Sequence, residues 1–464
     1  MTYGLRFTPS APRPLPTGPR AAALIMAVAA LGAGSLRAQD LTLDQAIDMA
    51  LKSNRSVQNA AIEAAKFDDR RAGLKSQFLP DARVFGFALQ PVAPFNFDIP
   101  KGALGVDSVQ APVPASDAQF HTAAHPIGVA AVSVIQPISS IPTIRKGLAL
   151  LDVEKKLAEE QSRLERQTTV RDVRQLYYAI QSLESGLRAA RESVRLFQEV
   201  ERITAQYVEK REVLDVDYLE AQLHLAKAME SVLDLENQRE TLKAKLNLKM
   251  GRNVLVQFTV PEIPPTADAS LPDSLQDTSE ARARALAQRP EARQAQLKIE
   301  QARSELSIAS AGFNPTVAAQ FIGLETTPIN NLLPRQVGFA GVSVAWQPFT
   351  WGRKQHELAV HRDELQEAIN KQEDAKSLIE IDVAEQYRRL QLAAARLHVA
   401  SLSRQMTAES LREAQKQYEA RFTLLKTVLQ AQAALENSNA DYQKCLTELW
   451  TARAEYERAL GEDK

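Results

Sequence analysis

Toward the end of the chain apolar residues recur at alternating steps of three and four: Leu425, Val428, Gln432, Leu435, Asn439, Tyr442, Leu446, Leu449, Arg453, Tyr456 and Leu460. That spacing is a coiled-coil seam with three polar interruptions. A second row, Ala431, Ala434, Ser438, Cys445, Ala452 and Ala459, is small and lets another helix approach closely. The pattern predicts a helix with neighbours on two sides, a wall of helices rather than an isolated pair.

Proline marks where such helices can run. None falls between Pro142 and Pro261, and none follows Pro348, which leaves two stretches of about 116 to 118 residues. Glycine is nearly absent there too: Gly147, Gly186 and Gly251 in the first, Gly352 and Gly461 in the second. Both stretches are rich in strong helix formers. Each is too long for one helix, and a reversal is expected near Tyr207 to Asp217 and again near Tyr418 to Thr427. The first arm, from about residue 143 to 208, would reach roughly 100 Å at 1.5 Å per residue.

The two stretches read as copies. RDVRQLYYAIQSLES (171–185) aligns with IDVAEQYRRLQLAAA (381–395), so that Tyr177 matches Tyr387 and Gln181 matches Gln391. QYVEKREVLDVDYLEAQ aligns with QYEARFTLLKTVLQAQ at nearly the same offset, 210 to 211 residues. Both end in a leucine-rich turn with glycine, LNLKMG and ERALG. Internal duplication is the expectation, with a first repeat at 39–255, a proline-rich linker at 256–275 and a second repeat at 276–464. Each repeat opens with a shorter helix. LTLDQAIDMALKSN has Thr42 or Asp44 as cap; a helix opening near Ser279 continues through QRPEARQAQLKIEQARSEL. These helices end at SQFLPDA and AGFNPTV.

Between those turns and the long helices lie four segments with alternating side chains: Asp81–Gln90, Ile127–Ile138, Thr316–Thr326 and Gln336–Phe349. Each is about ten residues, the length of a tilted membrane strand, and carries no charge in its middle. VSVIQPI and VSVAWQPF close the second and fourth strands with Gln-Pro ahead of the long helices. Trp346, Phe349 and Trp351 gather at one end, as a membrane aromatic girdle would. Soluble hairpins packed on helices are the alternative. Four strands cannot close a membrane barrel, which takes at least about eight, so membrane strands here require several chains in one wall.

Composition adds a compartment. Residues 1–38 hold Arg6, Arg13, Arg20 and Arg37 and no acid, then AAALIMAVAALGAG at 21–34. This reads as an export signal cleaved after Ala38, the alternative being a short buried helix. The chain carries a net charge of −1, about −5 without that segment, so nothing points to nucleic acid. The single cysteine, Cys445, excludes an internal disulfide and reads as buried filler.

Together these residues resemble the TolC-like outer-membrane efflux proteins. The resemblance rests on LTLDQAIDMALKSN, the Leu79-Pro80 and Asn314-Pro315 turns and the VSV…QP strand ends. It also rests on Tyr207 with Leu219-Glu220-Ala221-Gln222 and Tyr418 with Leu429-Gln430-Ala431-Gln432. It implies a mainly α fold: a long coiled-coil α-barrel, with four strands per chain entering a shared trimeric β-barrel. It further implies a homotrimer in outer-membrane lipid, working with a periplasmic adaptor and an inner-membrane transporter as the exit duct of a tripartite pump or type I secretion system. Adaptor docking would fall on Tyr207, Lys210, Arg211, Tyr418, Arg421 and Phe422. The family often has glycine three residues after the tip tyrosine; here Lys210 and Arg421 stand there.

No catalytic constellation, cofactor motif or metal site is expected. His121 and His125 share a loop, and His356 and His361 lie five apart on a helix without converging partners in sequence. Asp215 and Asp217 read as helix-end charges. Conduction is expected to be passive, with Glu413, Gln417 and Arg421 on one helical face as gate candidates. A periplasmic adaptor or a coiled-coil scaffold are the competing readings. Cargo is not legible.

Overall fold

The structure, a computed structural model, describes residues 39–90, 92, 96–107, 111–121, 126–211, 214–261, 279–326, 335–420, 422–423 and 425–462. The export segment, His125, most of the linker, the Pro328–Pro334 loop and Arg421 lie outside them.

Two short helices, α1 (Leu43–Ser53) and α2 (Arg55–Ser76), lead into strand β2 (Asp81–Leu89). After a small hairpin, β3 (Asn96–Ile99) with β4 (Ala118–His121), comes β5 (Ile127–Pro137). The long α3 (Ile141–Glu209) and α4 (Asp215–Lys249) follow. A similar order then recurs: α5 (Ser279–Gln288), α6 (Pro290–Ala311), β7 (Thr316–Thr326), β8 (Gln336–Ala345), α7 (Arg353–Glu419) and α8 (Leu425–Ala459). The 69 residues of α3 span roughly 100 Å. Among the described residues no helix is long and apolar enough to cross a membrane.

Each opening helix is broken where one continuous helix was expected. Asn54 is extended, and its side-chain oxygen accepts from Ser56 N at 2.8 Å and Val57 N at 3.4 Å, capping α2. In the second half Pro290 occupies the first helical position and holds Arg289 extended at ψ 134°. Thr42 rather than Asp44 caps α1, in a reciprocal box with Gln45. The start of the proline-rich linker is not free chain: β6 (Phe258–Thr259) pairs in parallel with β1 (Gln39–Asp40).

Two cores form where the breaks meet the ends of the hairpins. One holds Leu41, Ala46, Ala50, Val173, Tyr177, Ile180, Leu246, Met250 and Phe258. The other holds Ala285, Ile379, Val383, Leu390, Leu449, Tyr456 and Leu460. Val173 and Val383, Ile180 and Leu390, Leu246 and Tyr456, and Met250 and Leu460 are each 210 residues apart. Tyr177 donates its hydroxyl to Leu41 O at 2.9 Å, and burial pushes its pKa up to about 12. α8 packs on both α7 and α3, the two neighbours its seam and small row predicted. The partly buried Cys445 joins the second core.

Both hairpins end in the same cap. Gly251 N–H donates to Leu248 O and Arg252 N–H to Asn247 O; Gly461 N–H donates to Arg458 O and Glu462 N–H to Glu457 O. These are Schellman motifs, and their glycines have φ of 69° and 89°.

Candidate functional site

β2, β5, β7 and β8 form one antiparallel sheet in that order. β5 and β7 join the two halves of the chain at its centre, with Ala131 opposite Leu324 and Ser133 opposite Ile322. β2 and β8 are left as edges. The helices pack on helices and leave the sheet uncovered, and β2 is exposed at all nine residues. Charge is confined to the sheet ends: Asp81 pairs with Arg83 at 2.6 Å near the helices, and Glu325 lies at the far end. Between them Val84, Phe85, Phe87, Phe321, Phe339, Val342 and Val344 stand exposed. An apolar sheet with no cover and two open edges suits lipid on its surface and other strands at its sides.

β8 stops at Ala345, short of the expected Phe349, because its register with β7 runs out at Thr316 opposite Ala345. Trp346, Phe349 and Trp351 therefore sit in the turn leading into α7. They are 61%, 86% and 99% exposed. Trp351 and Gly352 take φ of 51° and 84°, which turns the chain sharply there. Lys354 crosses back, donating to Gly312 O at 2.6 Å with its ammonium over the Phe313 ring. At the other junction Gln136 donates to Phe78 O at 3.0 Å, tying the end of β5 to the turn before β2. The Gln of the first Gln-Pro phrase is thus a tie between turns.

The long helices end at Glu209 and Glu419 and the next begin at Asp215 and Leu425, inside the spans expected for the reversals. At the first tip Tyr207 is 37% exposed in the last turn of α3 and Lys210 has ordinary helical φ. The left-handed residue is the next one, Arg211, with φ 57°. Its N–H donates to Val208 O at 2.8 Å. A cap position suited to glycine is filled by arginine, at roughly 1–2 kcal/mol of backbone strain. At the second tip Phe422 is 86% exposed and donates its N–H to Gln417 O at 2.8 Å. Tyr418 closes α7. Gln417 donates to Glu413 Oε1 at 3.1 Å, so these two gate candidates stand together on the exposed side of α7. Arg421 lies outside the described residues.

Two apolar rows stand exposed among the described residues. α7 exposes Leu378, Ile381, Leu392, Val399, Leu402 and Met406, and α4 exposes Leu219, Leu223, Met229 and Leu233. Below the sheet, by contrast, charge does the joining. The Arg289 guanidinium, 7% exposed, binds Asp382 at 2.7 Å and Glu291 at 2.9 Å. Arg458 reaches the same Asp382 oxygen at 3.3 Å. Burial works against the charged form of Asp382, but the Gln386 amide and Arg289 overcome it and hold the carboxyl below its ordinary range. Sequence reasoning did not single out this joint. Its one signal was Asp382 lying opposite Asp172 in the aligned repeats, and Asp172 binds Lys249 at 2.7 Å.

Comparisons with known proteins place this geometry. The family model for outer membrane efflux proteins matches residues 281–462. No curated protein matches the sequence. Among solved structures, a membrane protein from Pseudomonas aeruginosa is similar at 14% identity with a TM-score of 0.72, covering 90% of this chain and 93% of that one. The outer membrane protein VceC from Vibrio cholerae is similar at 16% identity and TM-score 0.69, covering 90% and 96%. The open state of the MtrE outer membrane channel from Neisseria gonorrhoeae gives 16% and 0.66, covering 93% of each chain. These likenesses run through both halves of the chain and give the fold, while the family match lies in the second half. Residues 281–462 thus match the outer membrane efflux protein family, and the chain as a whole has the fold of these solved outer-membrane proteins.

Proposed function

We propose that the chain is one protomer of a homotrimeric channel-tunnel giving passive exit to the substrates of a tripartite efflux pump or a type I secretion system. The uncovered four-stranded sheet with both edges open carries this reading. Three copies bring twelve strands, and β2 of one copy next to β8 of another closes the wall. The apolar rows on α7 and α4 meet across the same joints and extend the wall as an α-barrel. The 210-residue correspondence of the two cores supports an internal duplication, which makes the tube nearly six-fold. The protein acts as a conduit rather than an enzyme, with an adaptor and an inner-membrane transporter as partners.

The purified full chain in detergent is expected to have the mass of three protomers by light scattering, and its deletion to stop export through the partner transporter. A stable monomer that needs no detergent would end this reading, and so would undiminished export in the deletant.

In this reading Trp346, Phe349 and Trp351 anchor the periplasmic rim of the barrel in lipid. The helical tips dock the adaptor through Tyr207, Lys210, Arg211, Tyr418, Arg421 and Phe422. Glu413, Gln417 and Arg421 narrow the pore. Alanine at the last three is expected to raise single-channel conductance in a planar bilayer. Alanine at Tyr207, Arg211 and Phe422 is expected to leave conductance alone and abolish co-purification of the adaptor. Unchanged values in either assay remove that set from its assigned role.

A further inference from the structure

Just below the sheet the two opening helices are tied to their long helices in different ways. In the first half α2 and α3 are cross-linked by Arg71 to Asp152 at 2.8 Å and Lys155 to Asp68 at 2.7 Å. On the matching stretch of α6 and α7 no cross-helix ion pair occurs among the described residues. Groups of the same character converge instead. Glu305 of α6 meets His361 and Glu364 of α7, with one oxygen or nitrogen from each within 4.8 Å of the others.

The three are held before any ligand arrives. His361 and Glu364 are one turn apart on one face, and His361 Nδ1 lies 2.8 Å from Glu364 Oε2. Glu305 accepts from Gln301 at 3.0 Å, one turn earlier on its own helix. Side-chain exposures of 27% for His361 and 48% for Glu364 leave room for water on an open side. A third carboxylate adds to the field. Burial pushes the Glu154 carboxyl of α3 up, the charge of Glu305 pushes it further, and Arg70 is the cation that opposes them. Glu305 thus has carboxylate neighbours on two other helices, Glu154 on α3 and Glu364 on α7, where the first half has balanced pairs.

We propose that Glu305, His361 and Glu364 form a divalent transition-metal site that clips α6 to the early turns of α7. One imidazole and two carboxylates, without thiolate, suit Zn²⁺ and its borderline neighbours better than Ca²⁺ or Mg²⁺, which prefer all-oxygen sites. Ligand atoms about 2.0–2.2 Å from a tetrahedral ion are roughly 3.5 Å apart, so the set closes by side-chain rotation with the helices in place. The site uses residues of one chain only and does not depend on the channel reading. The histidine pair His356 and His361 is not the basis for it, since His356 is absent from the cluster.

The test is calorimetric titration of the metal-stripped full chain in detergent with ZnCl₂ alone. Saturable binding of one Zn²⁺ per chain is expected, with a raised melting temperature that MgCl₂ does not reproduce. His361→Gln and Glu305→Gln should each weaken binding by more than tenfold, a loss of the size an outer-shell partner alone can cause. His356→Gln should bind as the parent does. Each variant is checked for the parent's elution position, and Glu364→Gln supplies a third reading should one of them assemble poorly. No saturable binding by the parent overturns the proposal, as does undiminished binding by His361→Gln or loss of binding in His356→Gln.

Discussion

Arg289→Ala is expected to destabilise the assembled protein by about 3–5 kcal/mol. The guanidinium sits at the break between α5 and α6, where Pro290 has removed a helix hydrogen bond, and it fastens that break to α7 through Asp382. Truncation strands Asp382 and Glu291 in a partly dry joint, with Arg458 at 3.3 Å as the remaining cation on Asp382. Because these carboxyls keep some solvent, the lower half of the range is the better figure. Arg289→Lys should recover part of the loss, since one ammonium cannot bridge two carboxylates as a planar fork does.

The effect has a pH signature. In the parent, Asp382 and Glu291 are held below the ordinary carboxyl range, against burial, by their hydrogen-bonded partners. A carboxyl lowered by folding adds stability above its unfolded value near 4 and loses it as pH falls through the lower folded value. The parent therefore weakens on acidification below about pH 4. The variant has already lost most of that contribution, so the gap between them narrows there. Thermal melts in detergent at neutral and acid pH measure both; a gap of constant size would remove the ion pairs from the account.

Gly251→Val should be nearly as damaging, by a different route. A Cβ at this position would stand 2.2 Å from the Ser53 carbonyl oxygen and 2.7 Å from its carbon. Both are backbone atoms and cannot rotate away. The residue also needs φ of 69°, which costs a branched side chain about 1–2 kcal/mol or more. Displacing Ser53 pulls on Asn54, whose amide donates to Lys249 O at 2.8 Å and locks the hairpin end to the break between α1 and α2. With overpacking of about 1–3 kcal/mol added, a loss of about 2–5 kcal/mol is expected. Gly461→Val meets the matching joint less severely, at 2.8 Å from Gln288 Cβ. Gly73→Ala, with nothing within 4 Å, serves as the control and should lose nothing. Equal melting temperatures for Gly251→Val and Gly73→Ala would mean that the close approach is not limiting.

Much of this architecture is written in local pattern. Excluding proline and glycine over two long stretches leaves helix as the only conformation that satisfies every backbone group in sequence. Strand position followed from alternation without mid-strand charge, and the observed Asp81–Leu89, Ile127–Pro137, Thr316–Thr326 and Gln336–Ala345 lie inside the expected bounds. The aromatic cluster at Trp346 to Trp351 and the tip turns were visible because short-range geometry produces them.

What sequence could not fix are meetings between distant residues. Periodicity assigns a face to a residue and says nothing of what lies against it. The pairing of β5 with β7, the anchoring of Phe258 beside Gln39, the fit of Gly251 against Ser53 and the grip of Arg289 on Asp382 each join segments far apart in the chain. So does the approach of Glu305 to His361 and Glu364. The helix breaks belong here as well: Pro290 announces one, but Asn54 becomes a cap because the end of α4 is there to receive its amide. Local sequence settled which segments are helix and strand, since backbone hydrogen bonding and side-chain periodicity act over a few residues. The tertiary structure settled which charges pair, which glycines are indispensable and which edges stay open, because those depend on register between elements far apart in the chain.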